Sequence, residues 1–245
     1  MTAIIARIFI LTALFLSLST YGQDSKTALA NNVAQTVTSQ LPAFPKTVVV
    51  AVDLTGSFVD YILADGYMDR AVKRTMQELE KSIQKGSLVR VGVIGHSHHD
   101  ESGSFEHLLA REWTVGGKYS KEKVVSGVRN WLRDIEADLR SKKLQKQVNT
   151  AVVMAFDRTA ELMRRSNGNC MLIAISDLDD TEFGLPLPVP YSPGEFKGCE
   201  VLGLGAGVTL RGGTKAEREL RQAWEVWFKL AGVDVARDFH WVPNP

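Results

Sequence analysis

Surplus charge is the first thing this chain lacks. Lys and Arg total 29 against 28 Asp and Glu, a formal net charge of +1. Binding through nucleic-acid phosphates needs a basic face, so this balance argues against a nucleic-acid partner. Cysteine is scarce. Cys170 and Cys199 are the only two, and in an oxidising compartment they leave two alternatives, one bridge or two buried thiols. Internal repeats are absent, and so are low-complexity tracts beyond one proline-rich stretch. No apolar run reaches the ~20 residues of a membrane-spanning helix. What remains, 245 residues of which 44% are hydrophobic and 23% charged, suits one mid-sized globular domain.

The first 22 residues differ from the rest. Arg7 is their only charge, Ile8–Leu16 is an apolar run, and Ser19, Thr20 and Gly22 precede polar Gln23–Lys26. A positive start, a short apolar run and a small-residue exit read as a secretory signal peptide. Cleavage after Gly22 is expected, giving an exported protein (periplasmic, cell-envelope or secreted) with no membrane span. Residues 23–45 are polar and small, a leader closed by Pro42 and Pro45, and the domain is expected over 46–245.

Within that domain, Thr47–Val52 is an unbroken β-branched run, the pattern of a strand covered on both faces. Leu88–Ile94, Met171–Ile175, Glu200–Leu204 and Phe239–Val242 read as further strands, and Arg111–Val115 as a short antiparallel one. Met68, Val72, Met76, Leu79 and Ile83 recur at helical spacing, with Gly86 expected as the C-cap. Val124–Leu139 gives a second helix, with Ser120 before it as a plausible N-cap. A third is expected from Asn149–Thr150 to Arg165, and a fourth carries Leu220, Trp224, Trp227 and Ala231. Trp224 and Trp227 share one stripe and are expected in the core. Residues 181–198 hold Pro186, Pro188, Pro190 and Pro193 and are expected to cross in extended form. Alternating strands and helices predict an α/β fold: a doubly wound, mostly parallel sheet with one short antiparallel edge strand. Ligands of such sheets sit beyond the carboxyl ends of the strands, where strand order reverses.

Hard oxygen ligands gather at that edge. Asp53, Thr55 and Ser57 follow the first strand, Thr150 begins the third helix, and Asp177 ends the strand at 171–175, with Asp179 and Asp180 beyond it expected on a partner-binding rim. Carboxylates with hydroxyls suit Mg²⁺ or Mn²⁺. Asp and Ser also cap turns and helices, which is the plainer reading of either residue alone.

In Asp53–Leu54–Thr55–Gly56–Ser57, Thr150 and Asp177, over about residues 46–242, the chain resembles the von Willebrand factor A (vWA) family. That family's metal-ion-dependent adhesion site (MIDAS) has an Asp-x-Ser-x-Ser turn, a distant Thr and an Asp after the fourth strand. Thr55 replaces the first Ser, and Ser176–Asp177–Leu178 stands where Thr-Asp-Gly is frequent. Either Asp177 or Asp179 would be the ligand, and Asp177 directly ends the strand. The resemblance implies a Rossmann-like sheet and a non-enzymatic interaction module, whose divalent metal accepts an acidic side chain from a protein partner. It also implies neighbouring strands for Cys170 and Cys199, within reach of a disulfide.

Two other readings stand beside it. One is an Mg²⁺-dependent haloacid dehalogenase-like phosphatase with Asp53 as nucleophile, although Thr55 stands where such enzymes place their second Asp. The other is a vWA-like scaffold that binds without metal. His96, His98 and His99, with Asp100 and His107, form a polar hairpin tip. The segment reads as a solvated or partner-recognising rim, since its spacing fits no closed zinc pattern. Gly203–Gly207 is expected to be a tight strand-to-loop transition, not a dinucleotide loop.

Overall fold

The computed structural model describes residues 45–245 apart from 65, 95–109, 145–150, 167, 192 and 211. The expected signal peptide and all but the last residue of the expected leader lie outside that range.

Seven consecutive residues, Thr47–Asp53, form strand β1, and every one of them is buried. Alternation divides their side chains between two apolar layers. Val48, Val50 and Val52 enter one and Val49 and Ala51 the other, as expected where both faces of a sheet are covered. The first layer is packed by helices α1 (Gly56–Ile62), α2 (Tyr67–Ser82) and α3 (Lys121–Arg140). The second is packed by α4 (Val152–Arg165) and α5 (Gly213–Leu230), with Trp224 and Trp227 in its centre. A one-turn helix, α6 (Val235–Asp238), leads into the last strand.

The other strands are β2 (Leu88–Ile94), β3 (Arg111–Thr114), β4 (Cys170–Ile175), β5 (Cys199–Leu204) and β6 (Phe239–Val242). Their order across the sheet is β3-β2-β1-β4-β5-β6. All pairs are parallel except β2 with β3, so the doubly wound α/β fold with one short antiparallel edge strand is the observed one. Strand order reverses between β1 and β4. Val52 stands opposite Ile175, so Asp53 and Ser176 leave the sheet side by side.

Several details differ from the sequence expectations. Helix α1 was not anticipated; it is short, and it buries Phe58, Val59 and Ile62 directly after the Asp53–Ser57 segment. Gly86 is not a C-cap. Helix α2 ends at Ser82, Ile83 is already extended, and Gly86 (φ 90°) forms the turn into β2, giving its N–H to the Val115 carbonyl at 2.7 Å. Ser120 caps α3 as expected, accepting from the Lys123 N–H.

The described residues of 181–198 cross from β4 to β5 without a helix, and the Leu185–Pro186 peptide is cis. Gly194 and Phe196 fasten the far end by donating N–H groups to the Leu230 and Ala231 carbonyls, at 3.2 and 2.8 Å. Cys170 and Cys199 face each other across β4 and β5 and are disulfide-bonded, with Cα atoms 4.5 Å apart. At the outer margins of the sheet, β3 exposes Arg111 and Glu112, and four-residue β6 runs into Pro243.

The bridge links residues 29 apart in sequence, and closing a loop of that size in the unfolded chain is worth about 3–4 kcal/mol. Replacing both cysteines by Ala is expected to lower the melting temperature by roughly 10 °C in calorimetry.

Candidate functional site

At the reversal point two carboxylates approach each other inside the protein. Asp53, the last residue of β1, is fully buried, and Asp177, two residues beyond β4, is 1% exposed. Asp53 Oδ1 accepts the Thr55 N–H and the Thr55 hydroxyl, both at 2.8 Å. Its Oδ2 accepts the Ser176 hydroxyl at 2.8 Å. Thr55 is the N-cap residue of α1 but makes no capping bond with its side chain, because the hydroxyl is turned to Asp53. Ser57 lies exposed on the first turn of that helix.

The Asp177 carboxylate accepts the Asp179 N–H at 3.1 Å through Oδ1 and the Thr209 hydroxyl through Oδ2. Its carbonyl accepts the Gly207 N–H at 2.7 Å. The turn after β5 therefore wraps Asp177, and Gly205 and Gly207 (φ 92° and 77°) give it its curvature. The expected tight transition at 203–207 is the observed one. Beside Asp177, Leu178 is held at φ 59°, a left-handed conformation that costs a Leu about 1–2 kcal/mol. Its N–H donates to Ser176 Oγ at 2.9 Å, its carbonyl accepts the Trp224 indole N–H at 2.8 Å, and its side chain is buried.

Electrostatics set this pair apart. Burial pushes the Asp53 carboxyl well above the usual carboxylate range, and the neighbouring Asp177 charge pushes further, against the bonds from Thr55 and Ser176. Burial likewise raises Asp177, opposed chiefly by Thr209. Among the described residues no Lys, Arg or His offsets either charge. Two uncompensated carboxylates in a desolvated place call for a cation or a proton. Among the described residues no group of three or more His, Cys, Asp or Glu could hold a metal. The described donors, two carboxylates with hydroxyl oxygens, are a set that fits a hard ion such as Mg²⁺ or Mn²⁺.

The structure brings Asp53, Thr55, Asp177 and Asp179 together, with Ser57 close by in the chain. Thr150 and the imidazoles His96, His98 and His99 lie outside the described residues. Asp180, expected on the rim, is instead buried. Its carboxylate accepts N–H groups from Val153 at 2.8 Å, Phe183 at 3.0 Å and Glu182 at 3.1 Å, joining the start of α4 to the start of the crossing. Sequence reasoning missed Ser176 and Thr209. Ser176 directly follows a strand end, a signal that was available; Thr209 carried none.

No protein-family model and no curated protein matches the chain. Among solved structures, two of the pilus adhesin SpaC from Lactobacillus rhamnosus GG are similar to it. One, in an open conformation, is 13% identical with a TM-score of 0.44 and covers 82% of this chain and 28% of that one. The second is 11% identical with a TM-score of 0.46, covering 84% and 29%. The chain thus spans less than a third of the adhesin's length.

Replacing Asp180 by Ala leaves three backbone donors without their partner, and each such loss costs about 1–3 kcal/mol where water cannot substitute. Urea titration is expected to show Asp180→Ala destabilised by ~3 kcal/mol or more, with Asp179→Ala within about 1 kcal/mol of wild type.

Proposed function

We propose that the protein is an exported interaction module of the vWA type. In this reading it holds Mg²⁺ or Mn²⁺ at a MIDAS-type site and captures an acidic side chain of a protein partner. The observation that carries the reading is the buried pair Asp53 and Asp177, uncompensated by any described cationic side chain, at the reversal point of the sheet. Asp53 and Asp177 would supply the charge, Thr55 and Ser57 neutral oxygens, and Thr150 a further hydroxyl. The bound cation supplies an electrophilic centre for a carboxylate. The protein's own part is to hold these oxygens in place and keep competing cations away.

Two further observations support it. Leu178 stands where the family frequently has Gly, and it adopts the backbone conformation that favours Gly. The Cys170–Cys199 bridge suits an oxidising compartment, and no described helix is long and apolar enough to cross a membrane. The phosphatase reading gains less. Asp53 has both oxygens engaged and no exposed surface, whereas a nucleophile must reach phosphorus.

Millimolar Mg²⁺ is expected to raise the melting temperature, by the equivalent of about 2.7 kcal/mol at a hundred times the Kd, and Asp53→Ala to abolish the rise. No shift in the wild type would remove the metal from the reading. Release of phosphate from an aryl phosphate, lost in Asp53→Asn, would install the phosphatase in its place.

The pH dependence should have opposite signs with and without metal. A raised folded pKa means that the folded state binds the proton more tightly than the unfolded one. The metal-free protein is therefore expected to gain stability as pH falls below about 7, where burial holds Asp53, towards the ~4 of an exposed carboxylate. Mg²⁺ needs the ionised pair, so its affinity is expected to fall through the same interval. Melting curves in chelator and in Mg²⁺ across that range test both signs.

A further inference from the structure

Tyr67, the first residue of α2, is 1% exposed, and its hydroxyl has no hydrogen-bond partner among the described residues. Its ring is fixed by edge contacts with Phe58 and Tyr61, at centroid distances of 6.0 and 4.8 Å. The hydroxyl is pressed against Gly205, where a Cβ would come within 2.2 Å of the phenolic oxygen. Gly205 opens the turn that wraps Asp177; burial raises the pKa of the phenol most, and the Asp177 charge adds to the rise. On the other side of that turn, Thr209 donates its hydroxyl to Asp177 Oδ2. A buried donor with no partner is rare and costs about 1–3 kcal/mol. Here it borders the Asp53–Asp177 pair, which lacks a described counter-charge.

We propose that Tyr67 and Thr209 form a third wall of the cation site, built from α2 and the turn after β5. Thr209 positions the Asp177 carboxylate, and the Tyr67 hydroxyl donates to an oxygen in the hydration shell of the ion. Neither is a direct ligand; both act through the groups they orient. Gly205 is required because any side chain there would displace the phenol. This inference rests on the metal reading above, and it adds positioning residues from two elements outside the Asp53–Ser57, Thr150 and Asp177 segments.

The test is titration of the purified exported chain with MgCl₂ and MnCl₂, followed by thermal shift, for wild type, Tyr67→Phe, Thr209→Val and Thr209→Ser. Loss of an outer hydrogen-bonding partner typically weakens metal binding 10–100-fold. The midpoints of Tyr67→Phe and Thr209→Val are therefore expected to rise about tenfold, with Thr209→Ser close to wild type. In chelator, Tyr67→Phe is expected to melt at or above the wild-type temperature, because it removes a donor that has no partner there. A hydroxyl with only a packing role would leave the midpoint unmoved. A midpoint within about twofold of a responding wild type, in either variant, overturns the assignment. A wild type that does not respond overturns the metal reading beneath it, so the two failures are told apart.

Discussion

The hydrogen bond from Ser176 to Asp53 joins the ends of β1 and β4, and the chemistry of the molecule is arranged around it. It crosses the one place where the sheet reverses its order, so it holds together two strands whose connections lead in opposite directions. It also keeps a carboxylate in a fully desolvated position. The same Ser176 oxygen accepts the Leu178 N–H and so turns the chain that presents Asp177. One hydroxyl thereby sets the spacing of two acids that burial would otherwise disfavour.

Around that pair the protein maintains conformations with a local cost. Leu178 is left-handed, Tyr67 buries a hydroxyl without a described partner, and two interacting carboxyl groups are buried. The strain at Leu178 is offset by its surroundings. The Trp224 indole fixes Leu178, and Gly203 makes room for its side chain, since a Cβ there would lie 3.1 Å from Leu178 Cδ1. Asp180 satisfies three backbone donors and locks α4 against the start of the crossing.

Much of this was legible from the chain alone. The β-branched run at 47–52 declared a strand buried on both faces, and α2, α3 and α5 showed their apolar period. Asp53 and Asp177 stood out because each lies at the end of an apolar strand run, although β4 itself stops at Ile175. Helix α1 did not: its seven residues bury Phe58, Val59 and Ile62 too briefly to show a period, and they follow a segment that reads as a turn. Asp180 looked like one more surface acid in an acidic run. Its role depends on the start of α4, 27 residues earlier in sequence. Ser176, Thr209 and Tyr67 share that property, since a hydroxyl acquires meaning only from what the fold sets opposite it.

The margins of the sheet have a consequence for how the molecule meets others. A strand at the edge offers unpaired backbone groups that any extended chain can join, a route to aggregation. Here one margin is the four-residue β3 with exposed Arg111 and Glu112, and the other is the four-residue β6, followed by Pro243. Short length, charge and a missing N–H are the means by which natural sheets discourage such pairing. Strand addition is disfavoured at both described margins of the sheet.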